Sequence, residues 1–282
     1  MSEETPQRTI ARPVTVSGTG LHSGLHTVAH LMPAAPDRGV AFRRLDIEGA
    51  PAIPARLGEV VATARGVVLG RQAPVATVEH LLSAARGLGI DNLTVELDGE
   101  ELPCGDGSAQ IFVEALTRAG AVDQDAPRRP IVLEQPVWAS RGGSIIVAVP
   151  SPWLQVTYVA TADGAALAPQ MAQFNAQRDD YAAAIAPART WGLAVEVEAL
   201  RARGLARGAS TATALVIGPD GFMNAPRFPD ELARHKILDV IGDLSLLGRP
   251  LCAHVVAVRA GHSLHVALAH EIAQRLDDHD HP

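Results

Sequence analysis

The chain has 282 residues, of which 47% are hydrophobic, 4% aromatic and 20% charged, and its formal net charge is −7. That length and apolar share allow a sizeable core, in one large or two ordinary domains. An acidic balance without a basic stripe excludes non-specific nucleic-acid binding, and no run reaches the ~18 apolar residues expected of a membrane-spanning helix.

From the N-terminus, Arg8 to Leu31 alternates and is rich in β-branched residues. Ser17-Gly-Thr-Gly-Leu-His-Ser-Gly24 punctuates it as a hairpin turn with His22 inside. Gly39 to Arg44 reads as a strand, and Leu57 to Gly70 holds the short β segments Val60-Val61 and Val67-Val68-Leu69. Val78 to Gly87 reads as a helix stopped by Gly87 and Gly89. Asn92 to Leu97 is a strand, Asp98 to Gly107 a loop, and Ser108 caps a helix to Ala119. The polar, Pro-rich stretch from Val122 to Pro130 predicts a linker, dividing the chain into domains 1–124 and 130–282.

Beyond it the pattern restarts. Ile131 to Leu133, Val137-Trp138, Ser144 to Val149 and Leu154 to Val159 predict strands. Pro169 to Ile185 predicts a helix, Arg189 to Gly192 a loop and Val195 to Arg203 an amphipathic helix. A strand at Thr213 to Ile217 and a turn at Pro219-Asp-Gly221 follow. A helix is expected from about Pro229 to Leu247, a strand from Ala253 to Arg259, and a last helix over His265 to Leu276, opened by Gly261-His262. Strands followed by helices, twice, predict an α+β fold of two similar halves, each a layered βα sandwich, with a site in the cleft between them. The tail Asp277 to Pro282 reads as a solvated end.

The helix around Arg234-His-Lys-Ile-Leu-Asp-Val-Ile-Gly-Asp243 carries the chemistry. Four-residue spacing puts His235 and Asp239 on one face, with roughly 5–6 Å between Cβ atoms. Imidazole and carboxylate both bind Zn²⁺ at about 2.0–2.2 Å. Asp243 continues the row. Thr77-Val-Glu-His80 supplies the candidate third ligand, His80, beside a carboxylate, Glu79, able to take a proton from water. Each motif alone is more often an ordinary surface pair. Cys104 and Cys252 form no CxxC pattern, and Met1-Ser-Glu-Glu-Thr-Pro6 lacks the features of a secretion signal, so a reduced, cytoplasmic protein is expected.

Together with Gly87-Leu-Gly-Ile-Asp-Asn92, Asp106-Gly-Ser-Ala109, Ala188-Arg-Thr-Trp-Gly192 and Ala260-Gly-His262, these motifs give the chain, from about Arg8 to Ala273, a resemblance to the UDP-3-O-acyl-N-acetylglucosamine deacetylase family, zinc enzymes of lipid A biosynthesis. Seven motifs in order and at similar spacing carry it. The resemblance implies two βα-layered domains, a UDP-linked acylated amino sugar as substrate, and Zn²⁺ (or Fe²⁺) on His80, His235 and Asp239. It implies Glu79 as general base, His262 as a protonated stabiliser and acid, Asp243 as the carboxylate that orients and charges His262, and Thr190 as an oxyanion donor. Lys236 and Arg259 match cations near substrate oxygens. Trp191, Leu193, Val195, Val197, Leu200 and Leu215 match the acyl passage.

The sequence departs from the family pattern at Trp191 and Leu193, usually phenylalanine, and at Thr211, often aromatic. Thr161-Ala-Asp-Gly-Ala165 lacks a His-Pro element, and Ala64-Arg-Gly66 lacks the usual form of a loop facing the substrate. These departures bear on acyl length and uridine recognition and leave the metal and proton chemistry intact. Two other readings stand beside the deacetylase: a paralogue acting on another N-acetylglucosamine conjugate, and a non-catalytic protein with a closed four-ligand structural zinc, for which His22, His254 and His265 are spare histidines. A monomer is expected.

Overall fold

The computed structural model describes residues 5–163 and 166–280, the last four by their backbone alone. The opening Met1 to Glu4, part of the Thr161 to Ala165 segment and the side chains of the tail Asp277 to Pro282 lie outside the described residues. Two main sheets organise the chain. The N-terminal one has five strands in the order Val14–Thr19, His26–Pro33, Leu93–Leu97, Val40–Arg44, Ile53–Pro54. The glycine-punctuated stretch is its hairpin turn, with Val14 opposite Leu31 and Thr19 opposite His26. The C-terminal sheet runs Val137–Arg141, Ser144–Pro150, Leu251–Val258, Gln155–Ala160, Gln170–Asn175, and the short strand Ile131–Val132 joins it by pairing with Leu251–Val258. Its central strand, Leu251–Val258, alternates buried and half-buried along its whole length, as a strand with a covered face must.

The helices lie inside and the sheets outside. Helix α1 (Glu79–Gly87) packs on α2 (Gln110–Ala119), and α2 packs on the N-terminal sheet. Two short helices, α3 (Tyr181–Ala184) and α4 (Val197–Ala202), precede α5 (Glu231–Leu244). Helix α5 packs on α1 from the other half, on α6 (His262–Asp280) and on the C-terminal sheet. The result is the layered α+β sandwich expected from the alternation, with one continuous apolar core running through both halves. Among the described residues no helix is long and apolar enough to cross a membrane.

Helix α5 is buried on all sides, from Glu231 to Leu244, except at Arg234 and Lys236. A glycine in mid-helix normally costs stability, but Gly242 has a steric reason: a Cβ there would stand 2.2 Å from the Glu79 carbonyl oxygen. The α1–α5 approach therefore depends on the missing side chain. Gly242→Ala is expected to destabilise the fold by about 1–3 kcal/mol, outweighing the gain of about 0.5–1 kcal/mol that alanine usually brings to a helix. Thermal unfolding checks the sign.

Three local expectations are corrected. Pro169 to Ile185 is not one helix: Gln170–Asn175 is a strand antiparallel to Gln155–Ala160, and only Tyr181–Ala184 is helical. Burial of Ala172, Phe174 and Asn175 at the sheet edge overrides the helix propensity of this Ala- and Gln-containing stretch, and Asp180, accepting from the Ala182 amide at 2.9 Å, starts the helix late. The predicted linker is largely a strand, Ala121–Pro127, antiparallel to Pro6–Ile10 and fastened by Arg8–Asp123 at 3.0 Å. Its polar side chains fit a two-stranded ribbon at the surface. The expected loop at Arg189 to Gly192 instead leads into a strand, Trp191–Leu193, parallel to Leu215–Gly218.

Candidate active site

The start of α1 lies against α5 at Gly242, and the expected ligands meet there. One ligand atom from each of His80, His235 and Asp239 lies within 4.8 Å of the other two. His235 Nε2 is 3.4 Å and His80 Nε2 3.9 Å from Asp239 Oδ1. Ligands at about 2.0–2.2 Å on a tetrahedral ion stand at separations of this order. The His80 and His235 rings meet edge to face with centroids 5.2 Å apart. His235 Nδ1 lies 3.1 Å from the Ala188 carbonyl, which fixes the ring with Nε2 facing inward.

All three side chains are buried, with no more than 3% of each residue exposed. Asp239 Oδ1 has no hydrogen-bond partner among the described residues. A buried, unpartnered carboxylate oxygen aimed between two imidazole nitrogens is costly unless a cation occupies the gap. The donor chemistry therefore fits a divalent metal ion. Burial, then the neighbouring His235, push His80 down to about 3, so its imidazole is neutral. Burial alone would raise Asp239, but Lys236, His235, His262 and His80 together hold it well below the usual carboxylate range.

Glu79 opens α1 and points into the same cleft, 2% exposed. Its Oε2 accepts the Val67 amide at 3.0 Å. Burial lifts the carboxyl to about 7 against the opposing pull of His262. The Ala64 to Gly66 loop thus abuts the carboxylate: a Cβ on Gly66 would lie 3.0 Å from Glu79 Oε1. His262 opens α6, and its Nδ1 meets Asp243 Oδ2 at 2.8 Å. Burial works against its charge, yet Asp243 and Asp239 outweigh it and hold His262 at about 9. His262 Nε2 stands 3.8 Å from Asp239 Oδ2.

The cleft, of about 260 Å³, is lined by these groups with Thr190, Trp191, Lys236, Leu21 and Arg65. Thr190 is held by its amide on the Gly107 carbonyl at 2.7 Å and by the Leu215 amide on its own carbonyl at 2.8 Å. The adjacent Arg189 is fastened to the fully buried Glu231 at 2.9 Å, which anchors this strand to the start of α5. Lys236 pairs with Asp239 Oδ2 at 2.8 Å and sits 5.8 Å from the Trp191 ring centroid. Arg259 faces a neighbouring recess and pairs with Asp163. Of the expected acyl-passage residues Trp191 lines the cleft, whereas Leu193 and Leu200 do not, and Leu215 is fully buried in the strand beneath it. Val195 is 84% exposed.

The spare histidines are committed elsewhere. His22 Nε2 lies 3.0 Å from the Arg65 carbonyl, His254 Nε2 is 2.9 Å from Thr157 Oγ1, and His265 Nδ1 is 2.7 Å from Asp243 Oδ2. None joins the trio, and the fourth protein ligand of a closed structural zinc site is not among them.

Sequence reasoning missed Glu101. Its buried carboxylate takes the His22 and Ser23 amides at 2.8 and 2.7 Å and the Thr77 hydroxyl at 3.0 Å. It thereby ties the glycine-rich turn to the start of α1. A Cβ on Gly20 would strike its Oε2 at 2.3 Å, which explains that glycine. His265, expected only as a spare histidine, shares one oxygen of Asp243 with His262; its three-residue spacing after His262 on a helix was the available signal for that contact. Thr77, Arg65 and Arg259 have φ of 59°, 65° and 57°, in the left-handed region that L residues rarely adopt. The first two line the cleft and the third the adjoining recess, while Asp37 and Ala206, also at positive φ, lie outside both.

A layered α+β chain whose halves close on two imidazoles, a carboxylate in the same donor group and a second, buried carboxylate is built as a hydrolase. Comparison with known proteins narrows the class. The family described as UDP-3-O-acyl N-acetylglycosamine deacetylase matches residues 7–274. A UDP-3-O-acyl-N-acetylglucosamine deacetylase of Thermosynechococcus vestitus is 46% identical over 273 residues, 96% of this chain and 95% of its own. Those of Trichormus variabilis and Chlamydia pneumoniae are 40% and 39% identical, covering 94% and 97% of this chain and 98% and 99% of theirs. The chain belongs to the UDP-3-O-acyl N-acetylglycosamine deacetylase family.

Proposed function

We propose that this protein hydrolyses the N-acetyl group of UDP-3-O-acyl-N-acetylglucosamine, releasing acetate and the free amine in lipid A biosynthesis. The observation that carries the reading is the convergence of Glu79 and His262 on the buried His80–His235–Asp239 group, in a chain whose full-length relatives bear that enzyme's name. His80, His235 and Asp239 would hold the metal, Zn²⁺ in the first instance, with Fe²⁺ suited to the same donors. A divalent cation there supplies Lewis acidity, polarising the amide carbonyl and acidifying water.

The chain's own groups complete the chemistry. Glu79, lifted to about 7, accepts the proton of the attacking water. His262, held as a cation by Asp243, meets the negative charge that develops on the carbonyl oxygen. Thr190, which lines the cleft, adds a hydroxyl. The amine leaves with a proton from Glu79 or His262. Lys236 and Arg259 offer positive charge to substrate oxygens, and Trp191, Leu193, Leu200 and Leu215 apolar surface to the acyl chain. We divide the chain into an N-terminal unit, 1–124, bearing Glu79 and His80, and a C-terminal unit, 130–282, bearing α5, and read the protein as a cytoplasmic monomer.

The test is acetate release from the UDP-linked substrate by metal-loaded protein, beside other N-acetylglucosamine conjugates. Turnover of the UDP-linked substrate is the expected result. A loaded protein that leaves it intact sinks the reading, and cleavage of another conjugate alone would select the paralogue.

A further inference from the structure

A cavity larger than the catalytic cleft, which measures about 260 Å³, lies elsewhere among the described residues. It measures about 480 Å³ and lies at the far ends of α1 and α5, where Arg86 closes one helix and Ser245 follows the other. Ligand pockets typically enclose about 300–1,000 Å³. Helix α1 spans from Glu79 in the cleft to Arg86 in this cavity, seven residues or roughly 10 Å along its axis.

Its charge is one-sided. Arg38, Arg56, Arg86, Arg128, Arg129 and Arg249 line it, against the carboxylates of Asp37 and Asp91. Both acids are engaged. Gln7 donates to Asp37 at 2.7 Å, and Asp91 takes the Arg8 amide at 2.9 Å, Arg128 at 2.8 Å and Arg86 at 3.5 Å. Arg249 is turned to the Arg129 carbonyl at 2.7 Å. Among the described residues the guanidinium groups of Arg38, Arg56 and Arg129 make neither a hydrogen bond nor an ion pair. Six guanidinium groups against two carboxylates leave an excess of four positive charges around one hollow, in a protein of net charge −7. Arg86 and Arg128 have a local task, since they hold Asp91 and the end of α1. That task does not account for the other four.

We propose that this cavity is a second binding site, for a compact anion carrying a diphosphate or triphosphate group. Guanidinium forks match phosphate oxygens two at a time, and a rim of several forks requires an anion with more than one phosphate. The apolar floor of Leu82, Ala85 and Ile90 would seat a flat organic portion if the anion is a nucleotide. Because α1 and α5 run from this cavity to the cleft, an occupant touches the ends of the two helices that carry the catalytic groups.

Calorimetric titration of the metal-loaded protein with pyrophosphate and with adenosine diphosphate tests this, beside a variant carrying Arg56→Glu and Arg129→Glu. Both positions are exposed and bear no structural bond from their side chains, and neither lines the catalytic cleft, so fold and basal deacetylation stay unchanged in the variant. Any withdrawal of metal by the phosphate is common to both proteins, so the difference isolates the cavity. The expected result is saturable binding to the unaltered protein, weakened about tenfold or more in the variant and by added salt. Tighter binding of the nucleotide than of pyrophosphate assigns the floor to a base, and equal binding assigns the site to the phosphates alone. Equal affinity of the two proteins for both anions, or no binding to either protein, overturns the proposal.

Discussion

Glu79→Gln is expected to abolish deacetylation while leaving the fold and the metal in place. A carboxamide keeps the size and shape of the carboxylate, and its oxygen can still accept the Val67 amide. The His80, His235 and Asp239 trio is untouched. What disappears is the only function an amide cannot perform, uptake of a proton near neutral pH. Losing a positioned general base costs about 10²–10⁴ in rate. Because burial already holds this carboxyl at about 7, an uncharged replacement removes a buried charge, and thermal stability is expected to hold or rise. Rate, metal content and unfolding temperature must be measured on one preparation. A variant that turns over substrate at the original rate removes Glu79 from the mechanism.

The same carboxylate shows where sequence was informative. Glu79 and His80 are neighbours in a helix start, and His235 and Asp239 are one turn apart, so each pair is visible in a line of letters. Their meeting is not. It depends on Gly242, which lets the Glu79 backbone approach α5, and on Glu101, which anchors Thr77 from a loop 24 positions further on. Neither residue belongs to a local pattern; each does its work across the chain. The layered architecture followed from alternation and glycine punctuation, since those signals are periodic and local. The failures at Gln170–Asn175 and Ala121–Pro127 are of another kind. Both are sheet or ribbon edges, where a partner strand decides conformation and composition says little. The acyl-passage residues failed to separate into wall and core for a related reason: an apolar residue on a strand reads the same whether its face meets a ligand or Trp191 of the adjoining strand.

Neutralising Asp239, the carboxylate among the three proposed ligands, should separate metal binding from folding. Asp239→Asn preserves volume and can keep an oxygen toward the histidines, but a neutral amide oxygen is a much weaker donor to a divalent cation. Altering groups that merely orient a ligand costs about 10–100-fold in metal affinity, so neutralising the ligand itself should exceed about 100-fold. Lys236 and His262, which now face Asp239, would lose their opposite charge and help to repel a cation. The readout need not be catalytic. A metal that binds only the folded chain stabilises it by about 4 kcal/mol at a free concentration about 1,000 times Kd. Chelation should therefore lower the unfolding temperature of the unaltered protein and leave that of the variant where it was. If Asp239→Asn retains one metal per chain and the full response to chelator, the ion lies elsewhere, and the unpartnered oxygen between His80 and His235 needs another explanation.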